Sequence, residues 1–133
     1  MLDTALRERL TAAYEAFFRR DLATTMSVFA PDVVAFDAPE MPDTGTFEGR
    51  DALEDRLAGF LELFEEIELR ELQIDDVAGC VLIHFEVQGL TGTAAPPVGM
   101  AITHLLRVAD GLVTEMRVFF DDAAAREFAA AQP

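Results

Sequence analysis

The chain has 133 residues, with ten basic residues (all Arg) against twenty-five Asp or Glu, and a formal net charge of −15. Just over half of the residues are apolar, with eleven Phe and no Trp. That length fits a single domain over residues 1–133, and that apolar fraction excludes a disordered chain. The acidity repels phosphate and anionic bilayers, so neither nucleic acid nor membrane is expected as a partner.

The opening MLDTALRERL interleaves charges with apolar residues and reads as neither a secretory signal nor a transit peptide. A helix is expected over 4–19, capped by Asp3 or Thr4, with Leu6, Leu10, Tyr14, Phe17 and Phe18 on one face. A short helix follows over 22–29, capped by Asp21 and ended by Pro31. Residues 33–38 read as a strand, and Thr46–Glu48 as a short extended piece after a turn-rich segment. A third helix over 50–64 carries Leu53, Leu57, Phe60, Leu61 and Phe64 as its stripe.

Four strands are expected next. The first, 67–76, alternates poorly. The second, 80–90, places Val81, Ile83, Phe85 and Val87 on one face and His84 on the other. The third, 98–108, puts His104 among Met100, Ile102, Leu106 and Val108. Asp110–Gly111 is a strong hairpin signal, and 112–120 aligns Leu112, Thr114, Met116, Val118 and Phe120. A helical tail closes the chain over 122–130. Helices followed by hairpin-linked strands give an α+β domain, with helices on one face of a curved antiparallel sheet. By parity His104 points inward and His84 outward. Cys80 is the one cysteine and has no internal partner, which suits a reducing cytoplasm.

Three residues could carry chemistry. Asp37, in AFDAP, is either a turn residue before Pro39 or a general base at the mouth of an apolar cavity. In the second case, burial among Phe36 and Met41 would raise its pKa toward neutrality. His104 is either a satisfied core residue or a proton donor and acceptor. Tyr14, the single Tyr, is either core or a buried donor to an oxyanion. The acidic run from Glu62 to Glu71 reads as a solvated surface, with Glu62 and Glu65 as remote candidates to reach the cavity. With the two His on opposite faces and no ligand spacing, no metal site is expected. GTFEG at Gly45–Gly49 lacks the spacing and Lys of a phosphate loop, and Ser27, the lone Ser, sits in no nucleophile elbow.

Four stretches together carry a resemblance: YEAFFRRDLATTMSVFAPDVVAFDAP at Tyr14–Pro39, GTFEGRDAL at Gly45–Leu53, HFEVQG at His84–Gly89, and THLLRVADGLVTEMRVFFD at Thr103–Asp121. In order and spacing they resemble the NTF2-like superfamily, in particular its SnoaL-like and ketosteroid-isomerase-like members. The resemblance implies a cone-shaped roll, with three helices wrapped by a curved sheet around an apolar pocket. Asp37 matches the proton shuttle of the ketosteroid isomerases. Tyr14 matches their oxyanion donor, given a one-residue deletion at Arg19–Asp21. Their second donor falls on His104 by parity, or on Thr103 in an ungapped match. The Asp that polyketide cyclases often carry on the last strand falls at Val118 or nearby and is unfilled.

The reading that follows is a cofactor-independent acid–base enzyme acting on a hydrophobic carbonyl compound, by SnoaL-like cyclisation or ketosteroid-isomerase-like proton transfer through an enolate. Asp37 abstracts the proton, and His104 and Tyr14 stabilise the enolate. Phe17, Phe36, Phe60, Ile83, Phe85, Met116, Val118 and Phe120 bind the substrate, a polyketide or other polycyclic molecule. Two alternatives stand beside it. One is epoxide opening, which needs a second inward carboxylate from Glu40, Asp43, Glu62 or Glu65. The other is a non-catalytic binding or dimerisation module. The resemblance also implies a homodimer, through an outer sheet face offering Leu82, Leu105, Val113 and Phe119 among His84, Glu86, Arg107 and Arg117.

Overall fold

A computed structural model describes residues 2–39, 45–91 and 97–131. Helix α1 (Thr4–Phe18) starts where the Asp3 carboxylate accepts the Leu6 N–H at 2.7 Å. It buries Leu6, Leu10, Ala13, Tyr14 and Phe17. Helix α2 (Leu22–Met26) is capped by Asp21 in the same way. It stops earlier than expected, because the chain becomes extended already at Phe29, in β1 (Phe29–Phe36). Pro31 therefore lies inside a strand rather than ending a helix. Register shifts between Phe29 and Val34, and an irregular stretch of this kind tolerates a residue with no N–H.

Strand β2 (Thr46–Glu48) pairs with β1, and α3 (Arg50–Glu62) follows. The Gly49 N–H donates to the Val33 carbonyl at 2.7 Å, which ties the start of α3 to β1. Strands β3 (Glu66–Val77), β4 (Cys80–Leu90), β5 (Val98–Ala109) and β6 (Leu112–Phe119) form a meander, and α4 (Asp122–Ala131) closes the fold. Both tight turns of the meander, Ala78–Gly79 and Asp110–Gly111, hold φ between 52° and 83°, the left-handed geometry that matches strand twist.

The six strands form one curved open sheet in the order β2-β1-β6-β5-β4-β3. The architecture is α+β, as expected, but the sheet is not wholly antiparallel: β1 runs parallel to β6. Parallel neighbours need a long crossover, and here α3 and the four strands β2, β3, β4 and β5 supply it.

Two bulges set which side chains face inward. In β3, register shifts between Leu69 and Glu71, so Ile67 and Leu69 and then Leu72 and Ile74 all reach the core. This resolves the poor alternation seen in the sequence. In β6 the shift falls opposite Arg107 and Val108, and the Thr114 hydroxyl donates to the Arg107 carbonyl at 3.3 Å. Val113 therefore joins Met116 in the main core, which removes it from the outer face expected for a partner copy.

Helix α4 lies on the opposite side of the sheet from that core. Ala125 and Ala129 cover Cys80, Leu82 and Leu105 in a second buried cluster, with Phe119 and Phe128 at its edge. Leu82 and Leu105 are thus also buried within the chain. Among the described residues no helix is long and apolar enough to cross a membrane.

Candidate active site

Asp37 continues the parity of Val33 and Ala35, which are buried in the second half of β1, and so faces the helices. Its N–H donates to the Gly45 carbonyl at 3.2 Å, and its side chain is only 7% exposed. It does not sit among apolar groups alone. Arg56 Nε donates to its Oδ2 at 3.2 Å. Arg56 stands three residues after Leu53 and four before Phe60, so it shares the inward stripe of α3. Its guanidinium also lies 5.9 Å from the centre of the Phe47 ring.

His104 projects inward from β5 and is 8% exposed. Phe85 meets its ring edge-on at 5.0 Å between centroids. The Tyr14 hydroxyl lies 2.7 Å from its Nδ1. Desolvation drives both groups to their neutral forms: His104 is pushed down to about 3, and Tyr14 is pushed above its ordinary range. A neutral pair has one proton on each ring. Among the described residues Tyr14 has no other acceptor, so its O–H donates to Nδ1. The imidazole proton then resides on Nε2, the ring nitrogen that Tyr14 does not engage.

His104 and Asp37 line one cavity of about 70 Å³, together with Phe17, Arg56, Leu57, Phe60, Phe85, Met116, Val118 and Phe120. Tyr14 does not line it. Tyr14 lies beside a second void of about 30 Å³, and its hydroxyl is already engaged by His104. Its hydroxyl is thus turned to the His104 ring and not to the Asp37 cavity.

Phe17, Phe60, Phe85, Met116, Val118 and Phe120 all line the Asp37 cavity, but two expected lining residues do not. Phe36 is on the opposite sheet face from Asp37, as strand alternation requires, and carries the Arg117 guanidinium 3.9 Å from its ring centre. Ile83 is wholly buried in the core. Of the carboxylates offered for epoxide chemistry, Glu62 and Glu65 are exposed, and Glu40 and Asp43 lie outside the described residues, as does Met41. Thr103 points away from the cavity: it donates to Asp122 at 3.0 Å and lies 3.0 Å from His84 Nδ1. Among the described residues, no three His, Cys, Asp or Glu side chains gather in a way that could hold a metal ion. A larger space of about 590 Å³ is an open surface groove between Phe18, Arg20 and Glu65–Glu68, away from both groups.

Arg56 and Leu57 were absent from the expected site. Their signal is the α3 stripe itself, in which a cation occupies an inward position.

The fold and this polar pair in an apolar hollow define an NTF2-like protein, and solved structures bear out the fold. TerC, crystallised with polyporic acid, is 21% identical, with TM-score 0.74, over 96% of this chain and 100% of its own. An NTF2-like protein of unknown function from Burkholderia pseudomallei K96243 is 20% identical, with TM-score 0.76, over 97% and 100%. A protein named as a polyketide cyclase, from Xanthomonas campestris pv. campestris, is 22% identical, with TM-score 0.69, over 94% of each chain. The model of the SnoaL-like domain matches residues 10–116, and the chain belongs to that family. No curated protein matches it.

Proposed function

We propose that the chain is an acid–base enzyme that moves a proton on a small hydrophobic carbonyl compound, without a cofactor. The observation that carries this reading is the pairing of Asp37 and His104 across one otherwise apolar cavity, apart from Arg56, with Nδ1 of the imidazole already occupied by Tyr14. Asp37 takes a proton from the carbon next to the carbonyl. The electron pair of that C–H bond moves into an enolate, and His104 Nε2–H donates to its oxygen. The protonated Asp37 then returns the proton to carbon. A neutral imidazole held by a second side chain is a preorganised donor, and such donors act where charge develops. Arg56 orients the Asp37 carboxylate and leaves Oδ1 to the substrate.

The SnoaL-like family and the neighbour named as a polyketide cyclase support chemistry on carbonyl-rich molecules. A cavity of about 70 Å³ accepts a small molecule, or one portion of a larger one, since sites for drug-sized ligands run to roughly 300–1,000 Å³.

The test needs no natural substrate. Exchange of the α-protons of small ketones for deuterium, followed by NMR in D2O, reports enolate formation directly. We expect the chain to catalyse this exchange and Asp37→Asn to abolish it with folding intact. His104→Leu is expected to slow exchange by about 10²–10³-fold. Exchange unchanged in Asp37→Asn would remove Asp37 as the base. The small cavity and the Arg56 pairing also suit a binding module without catalysis, and ketone binding with no exchange would favour that second reading.

A further inference from the structure

The void beside Tyr14 is separated from the Asp37 cavity only by side chains that line both: Phe17, Leu57, Phe85, His104 and Met116. Tyr14, Phe18, Thr25 and Phe29 line this void and not the Asp37 cavity. Apart from His104 Nε2–H, which the reading above gives to the carbonyl, the walls of the void offer no free polar partner among the described residues. The Tyr14 hydroxyl is engaged by His104, and the Thr25 hydroxyl donates to the carbonyls of Ala13 at 3.1 Å and Asp21 at 3.0 Å. A space of about 30 Å³ is large enough for about two waters, but a buried water needs two to four polar partners. Methyl or methylene groups suit it better.

The partition between the two spaces is uneven in stiffness. Phe85, His104 and Tyr14 brace one another edge-on, with centroids 5.0 to 5.7 Å apart. Phe17 is stacked on Phe60 at 6.1 Å. Met116, on β6, is unbranched and turns about three bonds, so it can yield at little cost.

We infer that this void is a subsite for the tail of the substrate. The carbonyl group lies between Asp37 and His104, and a slender unbranched alkyl tail passes Met116 to end beside Tyr14 and Phe29. This rests on the reading of Asp37 and His104 as the carbonyl-binding pair, and it names the substrate class as short linear ketones rather than broad fused rings. A flat polycycle cannot thread past a single side chain, whereas a polymethylene chain can.

The probes are 2-alkanones from 2-butanone to 2-nonanone, titrated into the full chain by NMR with the methionine methyl groups labelled. Binding is expected to tighten about threefold to fourfold per methylene over the first few added carbons, then level off when the void is full. The Met116 methyl signal should move in step. Met116→Phe narrows the passage and should flatten the gain with length. Met116→Ile, stiff at its first side-chain bond, gives the same expectation should the Phe variant fail to fold. Binding of 2-butanone with no gain along the series overturns the subsite and leaves the carbonyl reading standing. A gain with length that survives in either folded variant overturns it as well. Failure of every ketone to bind overturns the carbonyl reading, and the subsite with it.

Discussion

His104 titrates far below its range in solution because burial beside Tyr14 and Phe85 disfavours the charged ring, and this couples the site to stability. Its ordinary pKa is 6.5, and in the folded chain it is pushed down to about 3. Between those values the unfolded chain binds a proton that the folded chain excludes. The folded state therefore loses stability as pH falls from about 6.5 toward about 3, and the loss is absent above about 6.5. The limiting slope is about 1.4 kcal/mol per pH unit, or roughly 2 kcal/mol between pH 7 and pH 5. Urea unfolding at those two pH values should show a smaller difference in His104→Leu than in the parent. Loss of the Tyr14 partner lowers the whole curve but not its slope. An identical pH dependence in the variant would contradict the neutral, buried imidazole. At this scale strand parity made the placement of Asp37 and His104 legible. The same parity puts Phe36 opposite Asp37, but its neighbouring number had suggested a shared pocket. The contact between Tyr14 and His104 spans 90 positions, and no local pattern encodes it.

Between elements, the tightest fit is at Gly89, where β4 passes the end of α3. A Cβ there would stand 2.4 Å from Phe64 Cδ1 and 2.7 Å from Cε1. Phe64 in turn tilts against Phe60, a wall of the Asp37 cavity, at 5.4 Å. Gly89→Ala should therefore push Phe64 and disturb that wall, at a cost of about 1–3 kcal/mol in thermal or urea unfolding. Adding Phe64→Leu should recover part of the loss, because the two positions touch. An unaltered melting curve for Gly89→Ala would mean the ring swings aside freely. The order of the elements followed from hydrophobic periodicity, and most of their bounds lie within a residue or two of expectation. The bulges did not follow. Each inserts one residue into a period of two, so the β3 pattern looked confused, and the β6 alternation held from Met116 onward but not at Leu112 to Thr114. The side of the sheet chosen by α4 was equally hidden. An Ala-rich face is small enough to lie flat on Leu82 and Leu105, but its sequence does not say which surface it meets.

At the scale of the whole molecule, the charge of −15 and the cavity are separate matters. The cavity holds one carboxylate, one guanidinium and one neutral imidazole, and is close to neutral. The excess of acid lies elsewhere, and the Arg residues do little to offset it. Four of the ten donate to backbone carbonyls: Arg7 to Ile74, Arg9 to Gly111, Arg20 to Leu61 and Phe64, and Arg50 to Phe29. They serve as braces between elements, and their charge is not matched to a carboxylate in those bonds. Arg107 and Arg117 converge on the single Glu115, and Arg126 joins Asp75 and Asp122. A surface so short of cations repels itself when compact, and less so when unfolded. Salt screens that repulsion over a Debye length that falls from about 30 Å at 0.01 M to about 10 Å at 0.1 M. The few exposed ion pairs lose under the same screening, but each contributes at most about 1 kcal/mol. Repulsion among the many uncompensated acids therefore outweighs them. Thermal unfolding at neutral pH should show a midpoint that rises by several degrees as sodium chloride goes from about 0.01 M to about 0.3 M. A midpoint that falls with salt would mean that ion pairs, not self-repulsion, dominate the electrostatics of the fold.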